Sequence, residues 1–189
     1  CGPERPLKSL NYSPLVVFIG GIDMASIDPP TLALDLFEQW LYGNLEMSND
    51  QFNPKNVARV IIAGNSTHAC PPKKPKHANS TNLRSIDTKG MIDSVRVFDE
   101  FLFNLSKSVT VDLMPGEFDP ANLMLPQQPF HHGLFPKSSV NRAFTNVPNP
   151  YQFMIEDRLI LGTSGQNVND IKKYSTSDDP IEVLKSTLK

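Results

Sequence analysis

The sequence has few cysteines and no long apolar run. Its two cysteines, Cys1 and Cys70, lie far apart and lack the paired spacing of a zinc ribbon or a disulfide framework. No segment approaches the roughly 18 consecutive apolar residues of a membrane span, and no charged-then-apolar leader opens the chain. These absences predict a soluble, intracellular protein whose stability comes from an apolar core and not from covalent or metal cross-links.

An excess of positive charge is also missing. The chain carries 18 Lys and Arg against 20 Asp and Glu, a formal net charge of -2. Proteins that bind phosphate backbones directly need clustered Lys and Arg, so we expect any contact with DNA to be mainly indirect. One exception is the KKPKH segment in the polar stretch 66–82. A solvated loop is the favoured interpretation, and a single-stranded DNA-binding module that also uses Arg84 and Lys89 is an alternative.

The length predicts one domain over residues 1–189. With 189 residues and 39% hydrophobic content, the chain can build one sizeable core but hardly two. It begins at Cys1 without an initiator Met and ends at Lys189 within an apparently helical stretch. We therefore expect it to be part of a longer polypeptide.

Short β-branched runs that stop at glycine or polar residues predict buried strands. Three such runs are LVVFI from Leu15, VARVIIA at 57–63 and TVDLM at 110–114. The segment YQFMIEDRLILG predicts a hairpin that turns at Glu156 and Asp157.

Two helices are predicted between the strands, and a capped helix ends the chain. The first helix, LALDLFEQWLYG, is expected to bury Leu32, Leu36 and Trp40, with Phe37 as a further candidate. In the second, over 89–106, Phe101 and Phe103 fall off the main apolar stripe and predict an exposed patch for a partner. That stripe consists of Met91, Val95, Phe98, Leu102 and Leu105. The alternation of strands and helices predicts the α/β class, with a largely parallel central sheet flanked by helices.

Four polar loops follow predicted strands, with the sequences GGID, GNSTH, PGEFD and TSGQN. In open α/β sheets the functional crevice lies beyond the carboxyl ends of the strands. The order and spacing of the four loops resemble those of calcineurin-like metallophosphoesterases, which hold two metal ions there. The resemblance implies that fold, of which this chain is a fragment.

Carrying the family's motifs over implies that the metal site is degenerate. Two cations that share a water for attack on phosphorus need a bridging carboxylate and further lone-pair donors. The family's two aspartates fall on a glycine and an asparagine, its histidines on an aspartate, a phenylalanine and a serine, and its asparagine on a glutamate. The altered positions are Gly21, Asp23, Asn65, Glu117, Phe118 and Ser164. The resemblance therefore implies no catalytic residue, no metal and no cofactor, while Gly64, Gly116, Gly165 and Asp119 keep the loop framework.

The phrases PGEFDP, LPQQP, NPYQ and LGTSGQNVNDI, in this order, resemble eukaryotic polymerase B-subunits from about Leu15 to Lys189. That resemblance implies a nuclear, non-catalytic subunit of a replicative DNA polymerase, acting in replication and repair without contact to a membrane. Its expected partners are the C-terminal region of the catalytic subunit and a third accessory subunit. Members of the family also carry an OB-fold, which we expect to be mostly or wholly absent from these 189 residues.

Other interpretations stay open at this point. A divergent metal-dependent nuclease or phosphodiesterase would use Asp23, Asn65 and Glu117, and a single metal would add His68. His131 and His132 are expected on the surface, pointing to opposite sides of an extended segment. The segment PQQPFHHGLFP is either a contact loop for another subunit or an irregular cover over the sheet edge.

Overall fold

A computed structural model describes residues 14–26, 28–45, 53–67, 88–175 and 179–187. The strands are β1 (Leu15–Ile19), β2 (Val57–Ala63), β3 (Thr110–Met114), β4 (Phe144–Asn146), β5 (Tyr151–Ile155) and β6 (Arg158–Gly162). The helices are α1 (Thr31–Leu41), α2 (Thr88–Ser108), α3 (Gln166–Lys172) and α4 (Pro180–Thr187). His68, the KKPKH segment and Arg84 lie outside the described residues. Within the described ranges, no helix combines the length and the apolar character that crossing a membrane requires.

The first four strands form one parallel sheet in the order β1-β2-β3-β4. Parallel neighbours require crossover connections, and the described parts of the first two crossovers contain α1 and α2. The predicted α/β class with a largely parallel sheet is thereby confirmed. The predicted alternation fails after β3, because within the described range 88–175 no α-helix lies between β3 and β4 or between β4 and β5. β4 was not predicted, since its three residues are too few to show a period.

One face of this sheet is largely apolar. Val60, Ile62, Val111 and Leu113 pack against the inner side of α2, where Phe98, Leu102 and Leu105 are fully buried. Burying one such side chain contributes roughly 1.5–3 kcal/mol. The predicted stripe of α2 is confirmed at these three positions, and Val95 is half-buried beside them.

The inner side of α1 differs from the prediction. Leu32 and Leu36 are 71% and 49% exposed, whereas Leu34 and Leu41 are buried and Trp40 is half-buried. Residues 34, 37 and 41 recur at helical spacing just as 32, 36 and 40 do. The sequence therefore carries two competing apolar stripes, and packing against the sheet selects one of them.

The predicted exposed patch on α2 is also wrong at Phe101. Its ring is 7% exposed and lies 6.1 Å from that of Phe98, centroid to centroid. Phe103 is half-buried, with the Lys107 ammonium 4.3 Å from its ring centroid. Aromatic residues from the irregular segment after β3 and from β4 enlarge the core around α2, so the helix buries a wider face than its periodicity predicts. They are Phe130, Phe135 and Phe144.

β1 is less buried than its composition suggests. None of its residues is fully buried, and Phe18 is 56% exposed. In the described part of the chain β1 is an outer strand of the sheet, so only one side of it pairs with a neighbour.

The opposite face of the sheet carries the hairpin of β5 and β6, whose strands pair in antiparallel register around Glu156 and Asp157, as predicted. Tyr151 donates a hydrogen bond to the Asp112 carboxylate at 3.1 Å, and Arg59 lies 3.4 Å from the same oxygen. The Arg59 guanidinium also lies 5.9 Å from the ring centroid of Phe153, which is buried. Polar contacts and the aromatic ring of Phe153 therefore hold the hairpin against this face of the sheet.

Candidate functional site at the carboxyl edge of the sheet

The loops after β1 and β2 meet at one edge of the sheet because their strands run parallel. The Gly21 N–H donates to the Gly64 carbonyl at 3.2 Å, and the Asp23 N–H donates to the Asn65 carbonyl at 3.1 Å. These hydrogen bonds continue the pairing of the two strands into their loops. The first two predicted site loops therefore form one connected unit.

Several residues of these loops have left-handed backbone conformations. Gly21 and Gly64 have φ angles of 66° and 82°, and Asp23 and Asn65 have φ angles of 51° and 53°. Glycine adopts this region freely, and asparagine and aspartate are the other residues that tolerate it best. Gly64 has a second constraint, because a Cβ there would lie 2.5 Å from the Ser164 Cβ. The second and fourth loops therefore touch at a position that only glycine fits.

Asp119 joins the second and third loops. One of its carboxylate oxygens accepts hydrogen bonds from the Ser66 N–H at 2.9 Å, the Thr67 N–H at 2.9 Å and the Thr67 hydroxyl at 3.0 Å. The other oxygen accepts from the Gly116 N–H at 2.8 Å. Hydrogen bonds to a carboxylate are among the strong ones in proteins. The sequence predicted a cap for nearby backbone, and the structure shows in addition a cross-link between loops.

Asn65 uses its side chain within the same assembly. Its amide oxygen accepts a hydrogen bond from the Phe118 N–H at 3.1 Å. Gly116 lies so close to the Asn65 side chain that a Cβ at position 116 would collide with it. Glu117, in contrast, is exposed. The predicted site positions thus gather at one edge, but the Asn65 amide there serves loop contacts.

The fourth loop reaches the edge although its strand, β6, belongs to the separate hairpin sheet. The Ser164 hydroxyl accepts a hydrogen bond from the Asn149 amide at 2.7 Å and donates one to the Gln166 amide oxygen at 3.0 Å. Sequence reasoning missed Gln127, Asn149 and Gln166 as site residues. All three stand in the phrases LPQQP, NPYQ and TSGQN, and an uncharged amide beside proline or glycine is too common a pattern to single them out.

Potential metal ligands are sparse at this edge. Across the described ranges, no group of three or more His, Cys, Asp or Glu residues is placed to hold a metal ion. His131 and His132 are exposed, as predicted, but their rings lie side by side with centroids 4.2 Å apart. The expected opposite orientation is wrong because His132 opens a short 3-10 helix, and His131 caps it by accepting from the Gly133 N–H.

The segment PQQPFHHGLFP places three of its residues in the protein interior. Phe130 and Phe135 are buried, and their rings meet edge-on at a centroid distance of 5.4 Å. Gln127 is also fully buried. Of the two predicted roles, the irregular cover therefore agrees with these positions.

Residues 16–189 match the family of the DNA polymerase alpha/epsilon B subunits. The chain therefore belongs to that family, and the resemblance to polymerase B-subunits drawn from the loop phrases is confirmed.

Several relatives of the chain are named as small or second subunits of DNA polymerases. It is similar to the DNA polymerase delta small subunit of Oryza sativa subsp. japonica, with 36% identity over 187 residues that cover 99% of this chain and 43% of the relative. It is equally similar to DNA polymerase delta subunit 2 of Drosophila melanogaster, with 36% identity over 189 residues that cover 99% of this chain and 42% of the relative.

A more distant relative comes from an archaeon. The DNA polymerase II small subunit of Pyrococcus furiosus is 22% identical over 174 residues, which cover 89% of this chain and 27% of the relative. The chain spans less than half the length of these three relatives.

Proposed function

We propose that this chain is part of a non-catalytic accessory subunit of a replicative DNA polymerase, acting in DNA replication and repair. In this proposal residues 1–189 form one inactivated, calcineurin-like phosphoesterase domain, and an OB-fold lies elsewhere in the polypeptide. The domain holds the C-terminal region of the catalytic subunit and a third accessory subunit together in the nucleus, and it meets DNA mainly indirectly. The names of the relatives and the family membership support the polymerase assignment.

The observation that carries the loss of catalysis is the use made of the side chains at the sheet edge. The Asn65 amide oxygen is bound to the Phe118 N–H, and the Ser164 hydroxyl is bound within a group of amides. Gly21 has no side chain to offer. A two-metal site needs a carboxylate shared by both cations and an activated water between them.

The buried carboxylate at this edge, Asp119, is also used in hydrogen bonds within the protein. Both oxygens of Asp119 accept hydrogen bonds, four in total, from the second and third loops. A residue that holds two loops through four such bonds cannot turn toward a cation without releasing them. The residues present therefore do not fit a pair of bridged metal ions.

Metal analysis of the full-length protein, together with a phosphodiester hydrolysis assay in Mn²⁺, tests this proposal. We expect no stoichiometric manganese and no hydrolysis of a chromogenic phosphodiester above the level of a mock purification. We also expect Glu117→Ala to behave like the wild type and like the control Glu182→Ala, which alters an exposed residue of α4. Stoichiometric metal with hydrolysis that Glu117→Ala abolishes would show a divergent nuclease instead.

Copurification tests the proposed role of the protein as a scaffold for the other subunits. Coexpressed with the C-terminal region of the catalytic subunit, the full-length protein should elute as a stable complex that survives moderate salt. Separate elution of the two polypeptides would contradict the proposed partnership. Steep loss of DNA affinity with rising salt, in the absence of partners, would instead favour a direct DNA-binding module.

A further inference from the structure

Two irregular segments are joined by an isolated pair of backbone hydrogen bonds. The Gln127 N–H donates to the Asn149 carbonyl at 2.6 Å, and the Asn149 N–H donates to the Gln127 carbonyl at 3.1 Å. Both residues are fully buried. A buried amide side chain must find partners for its donors and its acceptor, because an unsatisfied one costs about 1–3 kcal/mol.

The Gln127 side chain connects this bridge to the third loop. Its amide nitrogen donates to the Gly116 carbonyl at 2.9 Å, and its amide oxygen accepts from the Asn149 side chain at 3.0 Å. Gly116 is the residue that contacts Asn65 and donates to Asp119. The bridge is therefore tied directly to the loops at the carboxyl edge.

The Asn149 side chain connects the same bridge to the fourth loop. Its amide nitrogen has three acceptors: the Gln127 oxygen, the Ser164 hydroxyl at 2.7 Å and the Gln166 amide oxygen at 2.6 Å. Two N–H hydrogens are thus shared among three acceptors. The Gln166 nitrogen completes the circuit by donating to the Gln127 oxygen at 3.3 Å. Every member of this circuit is uncharged.

Pairing between strands does not link the fourth loop to the main sheet, since β6 pairs with β5 alone in the described part of the chain. We propose that the side chains of Gln127, Asn149, Ser164 and Gln166 form an amide lock that fastens the fourth loop to the third, so that the edge keeps its shape without a divalent cation. This inference rests on the proposed function, because it gives a structural role to an edge that lacks catalysis.

The chemistry of amides suits this role. An amide offers two donors and an acceptor without net charge, so a closed circuit of amides satisfies itself in a buried setting. Carboxylates at the same positions would repel each other and would need a cation to balance them. The lock therefore needs no cation to balance its charge.

Hydrogen exchange of the full-length protein with Gln166→Ala tests the lock. Gln166 is half-buried at the rim of the circuit, so this variant should fold. We expect the backbone amides of Gln127 and Asn149, distant in sequence from the substitution, to exchange about tenfold faster, while the amides of β2 keep their rates. Asn169→Ala, at an exposed position of the same helix, is the matched control and should change neither bridge amide.

Thermal unfolding with a chelator gives a second measurement. We expect EDTA or added Mn²⁺ to leave the midpoint of the wild-type protein unchanged, and Asn149→Asp to lower that midpoint by several degrees, since it places a carboxylate among acceptor oxygens. Unchanged exchange at Gln127 and Asn149 in Gln166→Ala would overturn the lock, as would a wild-type midpoint that falls when EDTA is added. Failure of the copurification test would contradict the proposed partnership and would leave both of these readouts unaffected.

Discussion

The two faces of the parallel sheet are stabilised by different kinds of interaction. On the face toward α2, Ile62 and Leu113 meet fully buried apolar side chains. On the face toward the hairpin, a buried carboxylate, Asp112, binds Arg59 and the Tyr151 hydroxyl. The first face is stabilised by the removal of apolar surface from water. This effect does not depend on the orientation of the contacting groups. The second depends on a few polar atoms at defined distances.

Burial has an electrostatic cost on the hairpin face. It raises the pKa of the Asp112 carboxyl above its ordinary value, and the Arg59 charge and the Tyr151 hydrogen bond each offset part of that increase. Burial, followed by the charge of Asp112, raises the pKa of the Tyr151 phenol to about 12. A buried ion pair is a weak source of net stability. The comparison indicates that apolar burial stabilises the α2 face, whereas the hairpin face adds polar contacts between defined partners.

The largest expected effect is on the apolar face. Phe98→Ala should lower the free energy of unfolding by about 3–5 kcal/mol, because it empties a fully buried aromatic site. Chemical denaturation of the full-length protein measures this change. Val97→Ala, at the neighbouring position that is 51% exposed, is the control and should stay within about 0.5 kcal/mol of the wild type. Equal losses in the two variants would contradict the assigned inner side of α2.

An intermediate effect is expected on the hairpin face. Tyr151→Phe removes the hydroxyl that donates to Asp112 and keeps the ring that stacks on Phe153, at a centroid distance of 5.0 Å. The free energy of unfolding should fall by about 0.5–1.5 kcal/mol near neutral pH, the usual net value of one hydrogen bond.

The pH dependence of that difference sharpens the same comparison. The phenol has a pKa near 10 in an unfolded chain and about 12 in the folded one, so folding favours its neutral form. This contribution is complete below about pH 10 and is lost as the pH rises through about 12. The stability difference between wild type and Tyr151→Phe should therefore shrink over that range. A difference that stays constant to pH 12 would contradict the raised pKa.

The smallest expected effect is that of a substitution on the outer side of α1, the helix that covers the apolar face. Leu32→Ala should change the free energy of unfolding by less than about 0.5 kcal/mol, because Leu32 is 71% exposed. Leu34→Ala, two positions away, should cost about 2–5 kcal/mol, since Leu34 is buried. If denaturant titrations gave the larger loss of stability for Leu32→Ala, the buried side of α1 would be the one that the sequence alone predicted.

Much of the fold was predictable because its signals are local. Apolar runs ending at glycine predicted β1, β2 and β3, and the order of polar loops after them predicted which residues gather at the edge. The terminal helix, α4, begins as its sequence indicates, with the Asp179 side chain accepting from the Ile181 N–H at 2.9 Å. Each of these features depends on residues within a few positions of one another.

Two of the errors come from tertiary packing. Packing against the sheet selects the inner side of α1, and distant aromatic residues that reach α2 bury Phe101, whereas periodicity carries no such information. The amide lock depends on Gln127 and Asn149, 22 positions apart, meeting across an isolated bridge. Hydrogen bonds over such separations follow from the completed fold.

Residue identities and short-range patterns are enough to establish the α/β class of the fold and the family. The hydrogen bonds that hold the loops together are determined only by the tertiary structure. Asp119, Gln127, Asn149 and Ser164 come from separate segments, and each finds its hydrogen-bond partners only when other segments of the chain reach it. Burial then makes each unpaired group costly, which is why this arrangement is specified by packing and not by local propensity.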